Sequence, residues 1–259
     1  MSDLLKSLRP KERRGSKPRC HLLTHGSPDV VSARLTKLIA PWGMVTSNDH
    51  WMPQGFIDTD EAQFGRVDSL LDPAIGASLI KWWLASPQLG RVPHWDIAGT
   101  CAIEGKPGLF LVEAKAHSEE LKTEEAGKRK ERVETADSLR NRAQIESCVK
   151  DANIALRLET GLDWRLSIER CYQMSNRFAW AWKLTALGFF PVILMYLGFI
   201  NAEEMADRGI PFADLEDWKR QVESHSQILF PGEVWGKRWR VNGQPFIPII
   251  QSCQQELVV

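Results

Sequence analysis

No two cysteines stand at CxxC spacing: the five, Cys20, Cys101, Cys148, Cys171 and Cys253, are odd in number and widely scattered. That pattern suggests neither a zinc site nor a disulfide framework, and scattered thiols in a reducing compartment are the expectation. A surplus of charge is also lacking, with 33 basic and 33 acidic side chains. The balance excludes a protein that coats nucleic acid through bulk positive charge and leaves room only for a local basic patch. GxxxxGK[ST], GxSxG and HExxH do not occur, which argues against an ATP phosphate loop and the familiar hydrolase and zinc-protease motifs. There is no internal repeat at a fixed period. The N-terminus has no apolar run before a small-residue cleavage site, so a signal peptide is not expected and a cytoplasmic protein is. The one long hydrophobic stretch, Ala179 to Ile200, is interrupted by Lys183 and Pro191. With Gly188 as a helix stop, it reads as a helix feeding a buried strand, and no membrane segment is expected.

What is present is 259 residues with 43% hydrophobic content, ample for one sizeable core. Residues 1–19 carry seven Lys or Arg against Asp3 and Glu12 and read as a flexible basic arm. The spacing predicts a helix over Asp29–Ala40 and two more between Asp58 and Ser86, broken near Asp72-Pro73. The second of these would bury Ile75, Leu79, Ile80, Trp83 and Leu84. Trp95–Glu104 and Leu109–Ala116 then read as two strands joined by Gly105-Lys106-Pro107-Gly108, a hairpin. From Ser118 to about Glu159 a charged stretch predicts one long helix, with Val133, Ala136, Leu139, Ala143, Val149, Ile154 and Leu158 among its apolar positions. A helix over Tyr172–Leu187 leads to a strand around Phe190–Phe199. Residues 211–223 open with proline and acids, a helix start. The tail beyond is cut by Pro and Gly into short extended pieces. The expected fold is α/β, a small mixed central sheet flanked by helices.

The second hairpin strand runs Leu111-Val112-Glu113-Ala114-Lys115-Ala116-His117. A Glu and a Lys two apart in an apolar strand share one face, and burying them is costly unless they are paired or used. The first strand begins at Asp96, between Trp95 and Ile97. An acid on one strand and Glu-x-Lys on its neighbour suit metal-assisted phosphodiester hydrolysis. Carboxylates are hard ligands for Mg²⁺, and a lysine can orient water or offset developing negative charge. One feature of the pattern opposes this. If Glu104 pairs with Leu109, Asp96 falls opposite His117, roughly 13 Å along the strand from Glu113 at about 3.3 Å per residue. A bulge or bend near Gly99 would then be needed.

Asp96 with Glu113-Ala114-Lys115 resembles the PD-(D/E)xK motif of the restriction-endonuclease-like nuclease superfamily, although Pro93 stands three positions before the acid rather than next to it. EAQFGR (61–66), WDIAGTCAIEGKPGLFLVEAKAH (95–117) and CYQMSNRFAW (171–180) resemble one uncharacterised branch of it. The likeness covers about 58–200 and leaves out the basic arm and a C-terminal extension, 201–259, within a single domain of 20–259. It implies a restriction-endonuclease-like core, with Asp96 and Glu113 as ligands of Mg²⁺ or Mn²⁺ and Lys115 as the catalytic lysine. Glu61 matches a helix-borne acid of many members, and Gln173 matches a Gln on the helix after the motif strand. Nucleic acid is the implied partner, with DNA the expected polymer and a homodimer one assembly of such enzymes. The alternative is a catalytically inactive nucleic-acid-binding or assembly module with the same fold, in which Glu113 and Lys115 form a structural ion pair.

Other residues carry weaker signals. His94 and His117 flank the motif, and Asn176-Arg177 could contact phosphate or brace a neighbour. Trp82-Trp83 and Trp180 with Trp182 fit core packing better than base stacking. Lys237-Arg238-Trp239-Arg240 is a basic run with an interleaved aromatic, as at some nucleic-acid surfaces.

Overall fold

A computed structural model describes residues 3–128, 135–188 and 190–257 of the chain. Its helices are α1 (Asp3–Lys6), α2 (Ser16–Leu23), α3 (Pro28–Ile39), α4 (Pro73–Trp83), α5 (Ser118–Glu124), α6 (Ala136–Thr160), α7 (Tyr172–Gly188) and α8 (Leu215–Ser226). Its strands are β1 (Trp51–Met52), β2 (Ile97–Ile103), β3 (Lys106–Lys115), β4 (Val192–Ile200), β5 (Trp239–Val241) and β6 (Gln244–Gln254). They form one open mixed sheet in the order β1-β2-β3-β4-β6-β5, with β3, β4 and β6 parallel and the other neighbours antiparallel.

Alternation along the strands divides the core in two. On β3, Leu109 and Leu111 face an apolar cluster built with α4, α6, α7 and α8. Phe110, Val112, Ala114 and Ala116 face the opposite cluster, built with α2 and α3. A side chain's place in the period of two therefore decides which helical layer it meets. The tryptophans Trp83, Trp180 and Trp182 are buried and pack ring against ring with Trp82, as core packing requires. All five cysteines are free thiols. Among the described residues, no helix is long and apolar enough to cross a membrane.

The hairpin differs from the expected one in a decisive way. Its turn is two residues long, Glu104 at φ 52° and Gly105 at φ 75°, and Ile103 pairs with Lys106. Positive φ at both central positions is the twist-matched tight turn of hairpins. Lys106, Pro107 and Gly108 are thus strand residues, and the ladder runs without a slip to Ile97 opposite Val112. Asp96 directly precedes the ladder and its carboxylate accepts the Ala114 N–H at 2.7 Å, so the expected separation from Glu113 disappears. Gly99 serves close packing instead, since a Cβ there would lie 2.6 Å from the Phe110 ring.

Several further expectations are corrected. Only the second of the two helices between Asp58 and Ser86 forms, α4, with Asp72 accepting from the Ala74 N–H at its start. Leu79, Trp83 and Leu84 are buried as expected, while Ile75 and Ile80 are only partly so. The charged stretch is not one helix. After α5 the chain turns extended, Ala126 bridging Arg170 and the Lys128 N–H donating to the Ile168 carbonyl at 2.7 Å. Val133, like Phe189 at the head of the later apolar run, lies outside the described residues. The buried stripe of α6 runs through Asn141, Ile145, Cys148, Val149, Ala152 and Leu156. Leu139, Ala143, Ile154 and Leu158 point to solvent instead. The helix after Pro211 begins only at Leu215, capped by Asp214, because Pro211 is held extended against His117.

The basic segment, expected to be a flexible arm, is folded: Leu5 and Leu8 are buried, and Arg19 on α2 pairs with Glu204. The tail is not peripheral, since β6 lies between β4 and β5 and pairs with β4 over nine residues. Pro248 is tolerated there because the β5 ladder ends at Phe246, leaving no strand beyond it to receive an N–H.

Candidate active site

The acidic positions converge at the C-terminal end of β3. Ala62 forms a bridge with Trp95, its carbonyl accepting the Trp95 N–H at 3.0 Å, so the next step sets Glu61 beside Asp96. Glu113 and Glu61 are the acids whose charges reach Asp96. Glu61 sits on an extended segment rather than a helix; the pairing of Ala62 with Trp95, not helical spacing, places it.

Glu113 and Lys115 share the face that meets α7, as the strand period requires, and both are buried. Each Glu113 oxygen is occupied. Lys115 Nζ pairs with Oε1, the Gln173 side-chain amide donates to Oε1 at 2.5 Å, and Arg177 Nε donates to Oε2 at 2.5 Å. Gln173 and Arg177 stand four apart on α7, one turn, and so reach the same carboxylate. Arg177 also donates to the His94 carbonyl at 2.7 Å and lies over the Trp95 ring at 4.8 Å. Of the two roles weighed for the Asn176-Arg177 pair, bracing is therefore the one Arg177 performs here.

Lys115 has a second partner that sequence reasoning missed, Glu124 Oε1 at 2.6 Å. Glu124 is buried at the end of α5, with His225 Nε2 at 3.7 Å from its other oxygen. It looked like part of a solvated charged run. The usable signal was its i,i+3 spacing from Leu121, which faces the core. Glu61 is held by Lys17 Nζ at 3.1 Å and His94 Nδ1 at 3.4 Å. Lys17 comes from α2, in the segment read as an arm.

The charges do not balance evenly. Burial, and then the charge of Glu113, push the Asp96 carboxyl well above the ordinary carboxylate range. Burial opposes ionisation of Glu113 too, but Arg177 and Lys115 outweigh it and hold that carboxyl below its ordinary value. For Lys115 the pull of Glu113 and Glu124 overcomes burial and raises its pKa. Glu124 is pushed up to about 7, chiefly by burial, with Lys115 only partly offsetting it. Burial and the nearby Lys115 lower His225 to about 4. For Glu61, His94 and Lys17 outweigh burial and lower the pKa.

Among the described residues, no group of three or more His, Cys, Asp or Glu side chains is already gathered as a metal site. The donor chemistry nevertheless suits a hard divalent cation. Asp96 accepts one backbone N–H, from Ala114 at 2.7 Å, and forms no salt bridge among the described residues; the like charges of Glu113 and Glu61 reach it, with Lys115 in part offsetting them. Glu113 and Glu61 supply further oxygens, at present turned toward Lys115, Arg177, Gln173, Lys17 and His94.

A cleft of about 460 Å³ opens beside this cluster. It is lined by Arg91, Val92 and Pro93, on the segment that runs directly into Asp96, by Glu124 and Lys128, and by Tyr172 and Gln173 from α7. Gln173 therefore belongs both to the cleft and to the Glu113 cluster. Other flagged residues lie outside the cluster. His117 stands just before α5, without a side-chain cap bond, and bridges Pro211, and in the basic run Arg238 pairs with Glu104 at the hairpin turn while Lys237 sits over the Trp239 ring at 5.7 Å.

Comparison with protein-family models, curated proteins and solved structures finds no match to this chain.

Proposed function

We propose that the chain is a Mg²⁺- or Mn²⁺-dependent nuclease of the PD-(D/E)xK type, hydrolysing phosphodiester bonds of nucleic acid, with DNA the expected polymer. The observation that carries this reading is that the ladder ending at Ile97 opposite Val112 brings Asp96 to the end of β3, where its carboxylate accepts the Ala114 N–H and feels the Glu113 charge, with Glu113 and Lys115 paired on one face of that strand. The order of hairpin, helix α7 and parallel strand β4 supports a restriction-endonuclease-like core. Asp96, Glu113 and Glu61 would hold the cation. When bound, it would lower the pKa of a water and offset charge on the reacting phosphate.

The remaining work falls to the chain's own side chains. Lys115, kept charged by Glu113 and Glu124, positions the attacking water and stabilises negative charge developing on the phosphate. Gln173 and Arg177 hold the Glu113 carboxylate in place at the end of β3. The protein would act in the cytoplasm, and two copies would serve where both strands of a duplex are cut.

One observation favours a second reading. Both Glu113 oxygens are satisfied by Lys115, Gln173 and Arg177, as in a purely structural ion cluster, which fits a non-catalytic nucleic-acid-binding module. Cleavage of end-labelled single- and double-stranded DNA and RNA separates the two, with Mg²⁺, Mn²⁺ or EDTA. Cutting that needs metal and falls at least ~100-fold in Asp96→Asn and Lys115→Gln is expected. Folded variants that cut like the parent would refute the assignment. A protein that neither cuts nor changes its thermal midpoint with metal is the binding module.

A further inference from the structure

We infer that Glu124 is the positioning residue of Lys115: once Glu113 gives an oxygen to a divalent cation, the ammonium is held by Glu124 alone and is drawn toward the cleft. The inference rests on the nuclease reading for the cation, and on the ion pairs of the cluster for the anchor.

The two acids that share Lys115 differ in what else they hold. Glu113 Oε1 takes Lys115 Nζ and the Gln173 amide, while Arg177 Nε donates to Oε2. A Glu113 that releases Lys115 still faces the Arg177 guanidinium. Glu124 has no such reserve. Its side chain is 1% exposed, and Lys115 Nζ lies 2.6 Å from Oε1. The other group within reach is His225 Nε2, 3.7 Å from Oε2, and neither of these atoms has a hydrogen-bond partner among the described residues. With its pKa lowered to about 4, His225 is uncharged near neutral pH and cannot replace the ammonium. A Glu124 that lost Lys115 would be a buried carboxylate without a cation, the costlier of the two separations.

A cation on Glu113 repels both of its basic partners. Arg177 is fixed by the His94 carbonyl and the Trp95 ring, so Lys115, a point charge on a flexible stem, is the one that yields. Its path is short: only Ala116 and His117 separate the end of β3 from the start of α5, the helix that carries Glu124. The path also has a direction. Glu124 lines the cleft and Glu113 does not, so an ammonium held by Glu124 alone lies nearer the space a phosphate would fill. Positive charge there offsets the negative charge that develops on a reacting phosphate.

Mn²⁺ affinity, read by isothermal titration calorimetry on the full chain without nucleic acid, tests the anchor independently of cleavage. The cycle comprises the parent, Glu124→Gln, Lys115→Gln and the double variant, each checked for folding by urea denaturation; Lys115→Met takes the place of Lys115→Gln if the latter does not fold. Without its anchor Lys115 stays on Glu113 and competes with the cation, so Glu124→Gln should weaken Mn²⁺ binding about fivefold. In the Lys115→Gln background the same substitution should change affinity by less than about twofold, and Lys115→Gln alone should bind Mn²⁺ more tightly than the parent. Glu119→Gln, which removes an exposed acid of the same helix, should leave the affinity unchanged. A loss from Glu124→Gln that is equal with and without Lys115 reports only the long-range effect of a removed charge and overturns the inference, as does no loss at all. The two readings can fail separately. A parent that binds Mn²⁺ and cuts, with no coupling between Glu124 and Lys115, keeps the nuclease and removes the anchor. Coupling in Mn²⁺ binding with no cutting of any nucleic acid keeps the anchor and removes the nuclease. A parent that does not bind Mn²⁺ removes both.

Discussion

Among the described residues, charge is buried in two places that are built differently. Near the N-terminus Arg19 is 2% exposed and grips one carboxylate, Glu204, with both terminal nitrogens, at 2.5 and 2.8 Å; a third bond goes to the Gly15 carbonyl at 3.0 Å. One base meets one acid, and only Arg19 Nε is left without a partner among the described residues. At the end of β3, Asp96, Glu113 and Glu124 confront Lys115 and Arg177, and the acids outnumber the bases. The matched pair is a brace that ties α2 to the turn after β4. The unmatched cluster has an extra carboxyl whose charge only a proton or an added cation can offset, and a cleft opens beside it. A fold brace does not need that excess; a site that takes up a divalent cation does.

Removing one base from each cluster tests the contrast most severely. Lys115→Ala leaves Glu113 and Glu124 facing each other in the core and should cost about 3–5 kcal/mol. Arg19→Met should cost less, about 1.5–3 kcal/mol, because Glu204 is partly exposed and regains water. Urea unfolding measures both. Where the parent cuts nucleic acid, Arg19→Met should retain its specific activity and Lys115→Ala should not. Equal losses of stability would erase the distinction.

Glu124 gives a smaller effect with a diagnostic sign. Its folded-state pKa of about 7 lies above its ordinary 4.5, so the native protein holds that proton more tightly than the unfolded chain. Stability from this group is present below pH 4.5 and is lost as pH rises toward 7. Glu124→Gln mimics the protonated form. The variant should match the parent near pH 4.5, gain on it up to about pH 7, and gain nothing more above. His225, lowered to about 4, shifts stability the opposite way over part of that range, and Glu124→Gln in a His225→Gln background isolates the Glu124 contribution. A parent–variant difference that is flat with pH would show that Glu124 ionises without penalty.

The smallest effect concerns the turn that sets the register. Glu104 occupies a left-handed backbone conformation that asparagine tolerates better. Glu104→Asn should change stability by less than about 1 kcal/mol, the gain in turn geometry set against the loss of an exposed pair with Arg238. Cleavage should be unaltered, because the register that brings Asp96 to the end of β3 is kept. A thermal melt and the cleavage assay check this.

Much of the frame was legible because period and punctuation report local geometry. The helices α3 and α7 and the strands β2, β3 and β4 lie close to where the spacing put them, and Glu113 with Lys115 shares one face because strands alternate. What was misplaced depended on contacts between distant segments. The length of the hairpin turn hung on whether Lys106-Pro107-Gly108 paired with Cys101, Ala102 and Ile103, and that choice moved Asp96 four residues along its neighbour. The charged run was divided because its middle found Arg170 and Ile168 to pair with. β6 was hidden by prolines that only its place in the sheet makes tolerable.

The sequence by itself determined which residues could do chemistry: an acid, Glu-x-Lys in an apolar strand, and a glutamine and arginine one turn apart on a helix. Only the tertiary structure decided that they meet, that Glu124 joins Lys115 from a stretch that looked like solvated helix, and that Lys17 of the basic segment reaches Glu61. The physical reason is that alternation and helical period act over a few residues, whereas strand register and buried ion pairing are set by free energies summed over segments far apart in the chain.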